Sequence, residues 1–271
     1  MKVSPAAFFL KETFKRVHFN MYYMEILTLI LIFVVAMITS AFGTLIGGSS
    51  LITIPLLIFI GIPPATAIGT NRAGLIGLAI AGWYEFDKKH LINYKIGWPI
   101  GIAALIGSII GAKIVLQINE NFLKIIIAIL TIAILIFMII EKDIGIKKTK
   151  TIIKTKNYVI GTIIGFGLGI YGGFYGAGFG TFLSYLLILV FGESFIESAA
   201  TRKIAGFLIA VAATIVFAIN GKIIYSLALV LFIGDAIGSY LGSKYSEKIG
   251  NVWIKRAFIG IVILMVLTLL F

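Results

Sequence analysis

Ten apolar stretches dictate what this chain can become. They run at 26–46, 49–62, 70–86, 96–116 and 122–140 and, beyond a basic interval, at 157–175, 179–192, 203–219, 223–243 and 253–271. Most approach the ~20 residues that a helix needs to cross the ~30 Å hydrocarbon core. Lipid offers the backbone no hydrogen-bond partner, so only helices or closed barrels can span, and these runs lack the apolar/polar alternation of a barrel strand. The expected fold is all-α, a polytopic transmembrane helical bundle. Composition agrees: 13% of the residues are charged, against roughly a quarter in a soluble domain.

The chain has no cysteine, which excludes disulfides, thiolate metal sites and cysteine nucleophiles. A net charge of +12 could suggest nucleic acid, but the basic residues sit largely between apolar runs, as they do in cytoplasmic loops. No nucleic-acid partner is expected; the partners are the lipid bilayer and a small solute. Residues 1–25 carry Lys11, Lys15 and Arg16 behind the short run Ala6–Leu10 and show no small-residue cleavage pattern, so they read as an interfacial segment and not a cleaved signal.

The two sets of stretches superpose at an offset of 131 residues, and Ile106–Lys113 matches Ile237–Lys244 at five of eight positions. The same offset, without a gap, pairs Gly47 with Gly178, Gly61 with Gly192, Thr70 with Thr201, Tyr94 with Tyr225 and Lys124 with Lys255. Internal repeats of this kind mark secondary transporters. The expected organisation is an interfacial segment at 1–25, a first transmembrane repeat at 26–141, a basic cytoplasmic loop at 142–156 and a second repeat at 157–271.

The second segment of each half is short, 14 residues in both cases, and reaches only ~21 Å as a helix. Read as re-entrant, these segments leave about four spanning helices per half, parallel repeats and cytoplasmic termini. The basic N-terminus, the Lys88-Lys89-His90 loop and the 141–156 stretch then share the cytoplasmic side. If the short segments cross, the repeats are inverted. The even count is preferred, although it places Lys244, Lys248, Lys255 and Arg256 outside.

Each short segment is entered through a glycine-rich run ending in hydroxyls, Gly43-Thr44-Leu45-Ile46-Gly47-Gly48-Ser49-Ser50 and Gly172 through Thr181. A helix broken inside a bilayer exposes N–H groups and a positive dipole end, an anion site when it lines a cavity. Gly47, Gly48, Ser49, Ser50, Gly178, Gly180 and Thr181 are therefore candidate substrate contacts. Close helix packing is the alternative for any glycine, and it is the preferred reading for Gly107/Gly111 and Gly238/Gly242. Polar knots follow both short segments, Thr70-Asn71-Arg72 and Thr201-Arg202-Lys203. Intramembrane cations face a cavity, a counter-ion or the interface, and Arg72 and Lys203 correspond under the offset. Asp235, in the middle of the 223–243 run, is a candidate for proton coupling or a fixed partner for Arg72, Arg202 or Lys203.

Trp83, Tyr84, Trp98 and Trp253 fall near segment ends, as interfacial belt residues do. His18 and His90 are too far apart in sequence to suggest a metal site, and neither metal nor cofactor is expected.

The glycine/serine entry, Pro55-Leu56-Leu57, Gly61-Ile62-Pro63 and Ala67-Ile68-Gly69-Thr70 resemble the TauE/SafE sulfite-exporter-like permeases. So do Gly173-Phe174-Tyr175-Gly176, Gly180-Thr181-Phe182-Leu183 and Ala200-Thr201-Arg202-Lys203 in the second half. The resemblance covers nearly everything after residue 25 and includes the duplication. It implies secondary transport of a small anion such as sulfite or a sulfonate across the cytoplasmic membrane, without a bound cofactor. The chain departs from the pattern at Ser49-Ser50, where many relatives continue the glycine run, and at Ala177, a position often held by proline.

Together these readings describe a permease working by alternating access. An anion channel is the nearest rival. An intramembrane enzyme would need an acid/base or metal cluster that the apolar segments lack, and a scaffold would need larger loops. Its Gly-xxx-Gly strips could support a homodimer if they faced lipid.

Overall fold

The computed structural model describes residues 5–140 and 152–246. Most of the 141–156 loop and the last apolar run, with Lys248, Trp253, Lys255 and Arg256, lie outside the described residues. Within them the chain is all-helical: α1 (Pro5–Ile46), α2 (Ser50–Phe59), α3 (Pro64–Lys88), α4 (Tyr94–Gln117), α5 (Glu120–Ile140), α6 (Thr155–Phe174), α7 (Phe179–Phe191), α8 (Phe195–Ile219) and α9 (Tyr225–Lys244). Helix α1 runs through the expected 25/26 boundary without a break.

Local chemistry sets the ends. Pro64 starts α3 where its missing N–H costs nothing. The Asn93 side chain caps α4 by accepting from Ile96 N at 3.3 Å, and Ser194 with Glu197 forms a capping box on α8. Left-handed Gly178 and Gly192 bracket α7, so a side chain at either would be strained. Five described helices are long and apolar enough to cross a membrane. Outward-facing rows run along α4 (Ile102, Ile106, Ile110) and along α9 at the equivalent positions (Ile233, Ile237, Leu241); such contiguous apolar stripes suit lipid and not water.

Close approaches at the glycines fix the directions. Gly74 lies against Leu231 and Gly82 against Ser239, so α3 and α9 are parallel; Gly234 meets Ala36 and Gly242 meets Ala41, so α1 runs with them. Gly97 meets Ile204 and Gly101 meets Leu208, while Ile100 meets Gly165 and Ser108 meets Gly173. Hence α4, α6 and α8 run together. Across the two sets, Gly69 meets Phe217 and Gly82 meets Lys203, so α3 and α8 are antiparallel. Every duplicated pair, α1/α6, α3/α8 and α4/α9, is thus opposed. The repeats are inverted, which corrects the preference for parallel ones.

Parity misled because a short helix need not continue the crossing begun before it. Asn157 Nδ2, at the start of α6, donates to Val190 O at the end of α7 at 2.7 Å. Helix α7 therefore returns to the face that α6 entered, and α2 does the same after α1. Each half then ends on the face opposite its start. One face carries Glu120 and Lys222; the other carries Lys88, Lys89 and Lys244, where Lys89 Nζ donates to Ser243 O at 2.9 Å and Lys244 O at 3.1 Å. Lys244 therefore shares a face with Lys88 and Lys89, whereas Ile26, where the first span begins, lies at the other.

The glycine strips pack the halves together. A Cβ on Gly107 or Gly111 would run into the α6 backbone, and one on Gly238 or Gly242 into the α1 backbone. These strips are buried between repeats and do not face lipid, so they are not open to a second copy.

Candidate functional site

The two helix breaks meet at the centre. A Cβ on Gly47 would sit 2.5 Å from Thr181 N, and one on Gly180 would sit 3.1 Å from Gly47 Cα. Beside them opens a cavity of about 80 Å³, where one water needs ~10–15 Å³ of such volume. Much of its wall follows the 131-residue offset: Ser49 and Gly180 from the breaks, Arg72 and Lys203, Leu75 and Gly206, and Leu78 and Ile209 from α3 and α8; Arg202 lines it without its equivalent Asn71. The cavity lies on the pseudo-twofold axis that relates the repeats.

Three buried cations line it, Arg72, Arg202 and Lys203, and among the described residues no carboxylate does. Arg72 donates through Nη2 to Tyr175 O at the end of α6, and its Nε has no partner. Lys203 Nζ donates to Thr44 Oγ1 at 2.6 Å. Tyr175 and Thr44 are themselves equivalent, so each cation reaches across to the last turn before the other half's break. Arg202 is more fully engaged. Its Nη1 donates to Gly180 O and Ser184 Oγ, both at 2.7 Å, and its Nη2 to Gly43 O at 3.3 Å and Thr44 O at 2.9 Å. It thereby satisfies carbonyls at the negative end of α1.

The donors left for a ligand are specific. Neither Gly48 N nor Ser49 N, which precede α2, nor Gly180 N in the first turn of α7 donates to a backbone acceptor among the described residues. The α2 and α7 N-termini both open on the cavity, where an anion gains from the dipole and the free N–H groups. Lys203 uses one of three donors. Free N–H groups at two helix N-termini beside three cations make the cavity favourable to negative charge.

The candidates from the sequence divide accordingly. Gly47, Gly48, Ser49, Ser50, Arg72, Gly180, Arg202 and Lys203 line the cavity; Thr70, Asn71, Gly178, Thr181 and Thr201 lie outside its lining. A helix turns ~100° per residue, so three consecutive side chains cannot share one wall. Thr70 Oγ1 instead accepts from Ile224 N at 3.0 Å, and its equivalent Thr201 accepts from Asn93 N at 3.1 Å. Asn71 accepts from Ser50 Oγ at 2.8 Å and donates to Thr53 Oγ1 at 2.7 Å, tying α3 to α2. Thr181 Oγ1 donates to Ile46 O at 2.8 Å, joining the breaks. Gly178 packs on Ile134.

Leu75, Leu78, Gly206 and Ile209 went unnoticed in the sequence, yet they follow Arg72 and Lys203 at intervals of three and six residues in both repeats. Asp235 is fully buried, accepts from Ser40 Oγ and pairs with none of the three cations. The fixed-partner reading of Asp235 is therefore not met. Among the described residues no group of His, Asp or Glu could hold a metal.

Known proteins similar to this chain are membrane transporters by name. The profile of the family described as sulfite exporter TauE/SafE matches residues 32–269. A probable membrane transporter protein of Haemophilus influenzae is 29% identical over 227 residues, covering 84% of this chain and 88% of that one. The probable membrane transporter protein YdhB of Bacillus subtilis is 27% identical over 235 residues (85% and 94%), and YfcA of Escherichia coli, described in the same words, 25% over 245 (90% and 88%). No solved structure gives a significant match.

Proposed function

The chain belongs to the sulfite exporter TauE/SafE family of membrane transporters, and from that premise we propose that it moves a small sulfur-containing oxyanion across the cytoplasmic membrane by alternating access. One observation carries the reading: a cavity on the axis between inverted repeats, lined by three buried cations and two broken-helix N-termini. Transporters with inverted repeats bind substrate at such a repeat interface. Gly48, Ser49 and Gly180 offer N–H groups, and Arg72 and Lys203 offer charge. Gly47, Ser50 and Arg202 shape the wall; Thr70, Asn71, Gly178, Thr181 and Thr201 hold the helices that carry it. Leu75, Leu78 and Ile209 give the cavity an apolar side, which lowers the local dielectric and strengthens the charged contacts there.

The face with Lys88, Lys89 and Lys244 is assigned to the cytoplasm by the positive-inside rule. This puts Ile26 on the outer side, against the expectation that the chain begins in the cytoplasm. The cysteine-free chain makes the assignment easy to test: a membrane-impermeant maleimide added to cells should label Asn121→Cys and spare His90→Cys, and the reverse pattern inverts the topology.

The function itself is tested in proteoliposomes with labelled sulfite, sulfate, thiosulfate and a small sulfonate. Saturable uptake of at least one is expected. Uptake of none by correctly folded protein removes the sulfur-anion reading.

A further inference from the structure

We propose that the seam between α1 and α9 is a proton pathway with Asp235 as its carrier, so that anion movement is coupled to proton movement; this deepens the transporter reading above and rests on it. The seam is a ladder of polar rungs on two parallel helices. Asp235 accepts from Ser40 on one rung. One turn on, Thr44 Oγ1 lies 2.9 Å from Ser239 Oγ and 3.4 Å from Ser243 Oγ, and Lys203 Nζ reaches the same Thr44 from the cavity at 2.6 Å. At the mouth, Lys89 Nζ donates to Ser243 O at 2.9 Å and to Ser246 Oγ at 3.1 Å. Ser40 and Thr44, like Asp235 and Ser239, are four positions apart, a rise of ~5.4–6 Å that one bridging water closes.

Asp235 has the features of a carrier and lacks those of a structural anchor. It is fully buried, its Oδ2 has no partner, and that oxygen points at the space beside Gly74, 3.1 Å from where a Cβ would stand. Helices α1 and α3 pack against α9 at this level. Within Ile26–Ile46, α1 presents hydroxyls and no charge. On α3 the charged side chains are Arg72, turned to Tyr175 and the cavity, and Glu85, Asp87 and Lys88 near the far end. From α8, Lys203 enters the seam only through Thr44. An intramembrane carboxyl so placed marks an ion or proton route. A hard metal cation takes about six oxygen ligands; the carboxyl and Ser40 together offer three.

The duplicate seam, α4 on α6, lacks the ladder. Ser239 keeps its hydroxyl there as Ser108, which donates within its own helix to Leu105 O, but Asp235 and Ser243 correspond to Ala104 and Ala112, and Ser40 and Thr44 to Tyr171 and Tyr175, whose hydroxyls turn to Ala177 O and Thr131. Among the described residues only the α1–α9 seam therefore joins a carboxyl to a row of hydroxyls. A proton entering at Lys89 is relayed along the hydroxyls, each O–H that forms releasing the proton of the next, until the Asp235 carboxylate becomes the carboxylic acid; once the cavity has changed sides the acid returns one proton through the same hydroxyls to Thr44 and the cavity, and only O–H bonds are made and broken.

The test uses the full chain in proteoliposomes, with radiolabelled sulfite as probe, reading counterflow without gradients and accumulation under a pH gradient. One pH unit can drive about tenfold accumulation at one proton per anion. Wild type should show both, with a sulfite-evoked change in lumenal pH. Asp235→Asn should keep counterflow while losing the accumulation and the pH change; Ser239→Ala should slow proton-driven accumulation and spare counterflow. The proposal falls if Asp235→Asn still accumulates sulfite under the pH gradient, if it loses counterflow as well, or if a sodium gradient replaces the proton gradient in wild type. Absence of wild-type counterflow removes the sulfite-transport reading itself, and the proposal with it.

Discussion

The α4–α6 and α1–α9 interfaces descend from the same packing arrangement and now differ in chemistry. Both keep glycines where backbones touch: Gly107 and Gly111 on α4, Gly238 and Gly242 on α9. Around that shared frame one seam holds Ala104, Ser108, Ala112, Tyr171 and Tyr175, and the other holds Asp235, Ser239, Ser243, Ser40 and Thr44 at the equivalent positions. Steric contacts were kept in both copies, because no side chain fits there. The polar groups were free to diverge, a carboxyl and small hydroxyls in one seam and two tyrosines in the other, because their cost depends on partners and not on space. Duplication thus preserved geometry on both sides of the axis and concentrated ionisable chemistry on one.

The shared frame is the place for the largest effects. Gly111→Leu would overlap the carbonyl of Ile170, and Gly242→Leu that of Ala41. Overpacking typically costs ~1–3 kcal/mol and more when backbone must move, so each should cost about 3 kcal/mol or more. Detergent-solubilised variants should elute as aggregates on size exclusion. If one tolerates leucine and the other does not, the two frames are not equivalent.

Exchanging the chemistry should be asymmetric. Ala104→Asp places a carboxyl in the seam without a ladder and should cost about 2.5–3.5 kcal/mol. Asp235→Ala removes an unpaired buried oxygen together with the acceptor of Ser40, and should cost about 1 kcal/mol. Thermal unfolding in one detergent compares them directly. Equal destabilisation would mean that Asp235 anchors its seam.

The cations offer a sharper comparison, one from each half. Hydrogen bonds to charged groups contribute ~1.5–3 kcal/mol, so Arg72→Ala or Lys203→Ala should each lower sulfite flux about 10- to 100-fold. Arg72 also holds the end of α6 through Tyr175 O, whereas Lys203 holds a hydroxyl, so Arg72→Ala should unfold at a lower temperature than Lys203→Ala. Undiminished flux in the folded double variant would remove charge from the mechanism.

Membrane helices, the duplication and the two glycine breaks were legible because each is written along the chain, in hydropathy, spacing and composition. Orientation was not. Counting crossings assumes that each apolar segment either spans or does not, whereas α2 starts inside the bundle, at the depth where α1 stops, and leaves by the face α1 entered. Half of the site was legible for a similar reason. Arg72 and Lys203 stand out as charges in apolar runs, but which neighbours share their wall depends on helix rotation. Thr70 and Thr201 were grouped with them by adjacency, yet their hydroxyls face the backbone of the next helix start.

Those threonines give the smallest contrast and the strictest check of the inverted symmetry. The bond from Thr70 to Ile224 N repeats in the bond from Thr201 to Asn93 N, 3.0 and 3.1 Å, and in each case a hydroxyl of one repeat receives the N–H that opens a helix of the other. Thr201 Oγ1 also donates to Glu193 Oε1 at 2.9 Å, while position 62, the equivalent of Glu193, is isoleucine. Valine keeps the shape and removes the hydroxyl, so Thr70→Val should cost about 1 kcal/mol, one unmet buried N–H, and Thr201→Val about 2, because a carboxylate loses a donor too. Neither should change the KM for sulfite, since neither side chain reaches the cavity. A raised KM in both would return the threonines to the site; a raised KM in Thr201→Val alone would mean that Glu193 reports to the cavity through it.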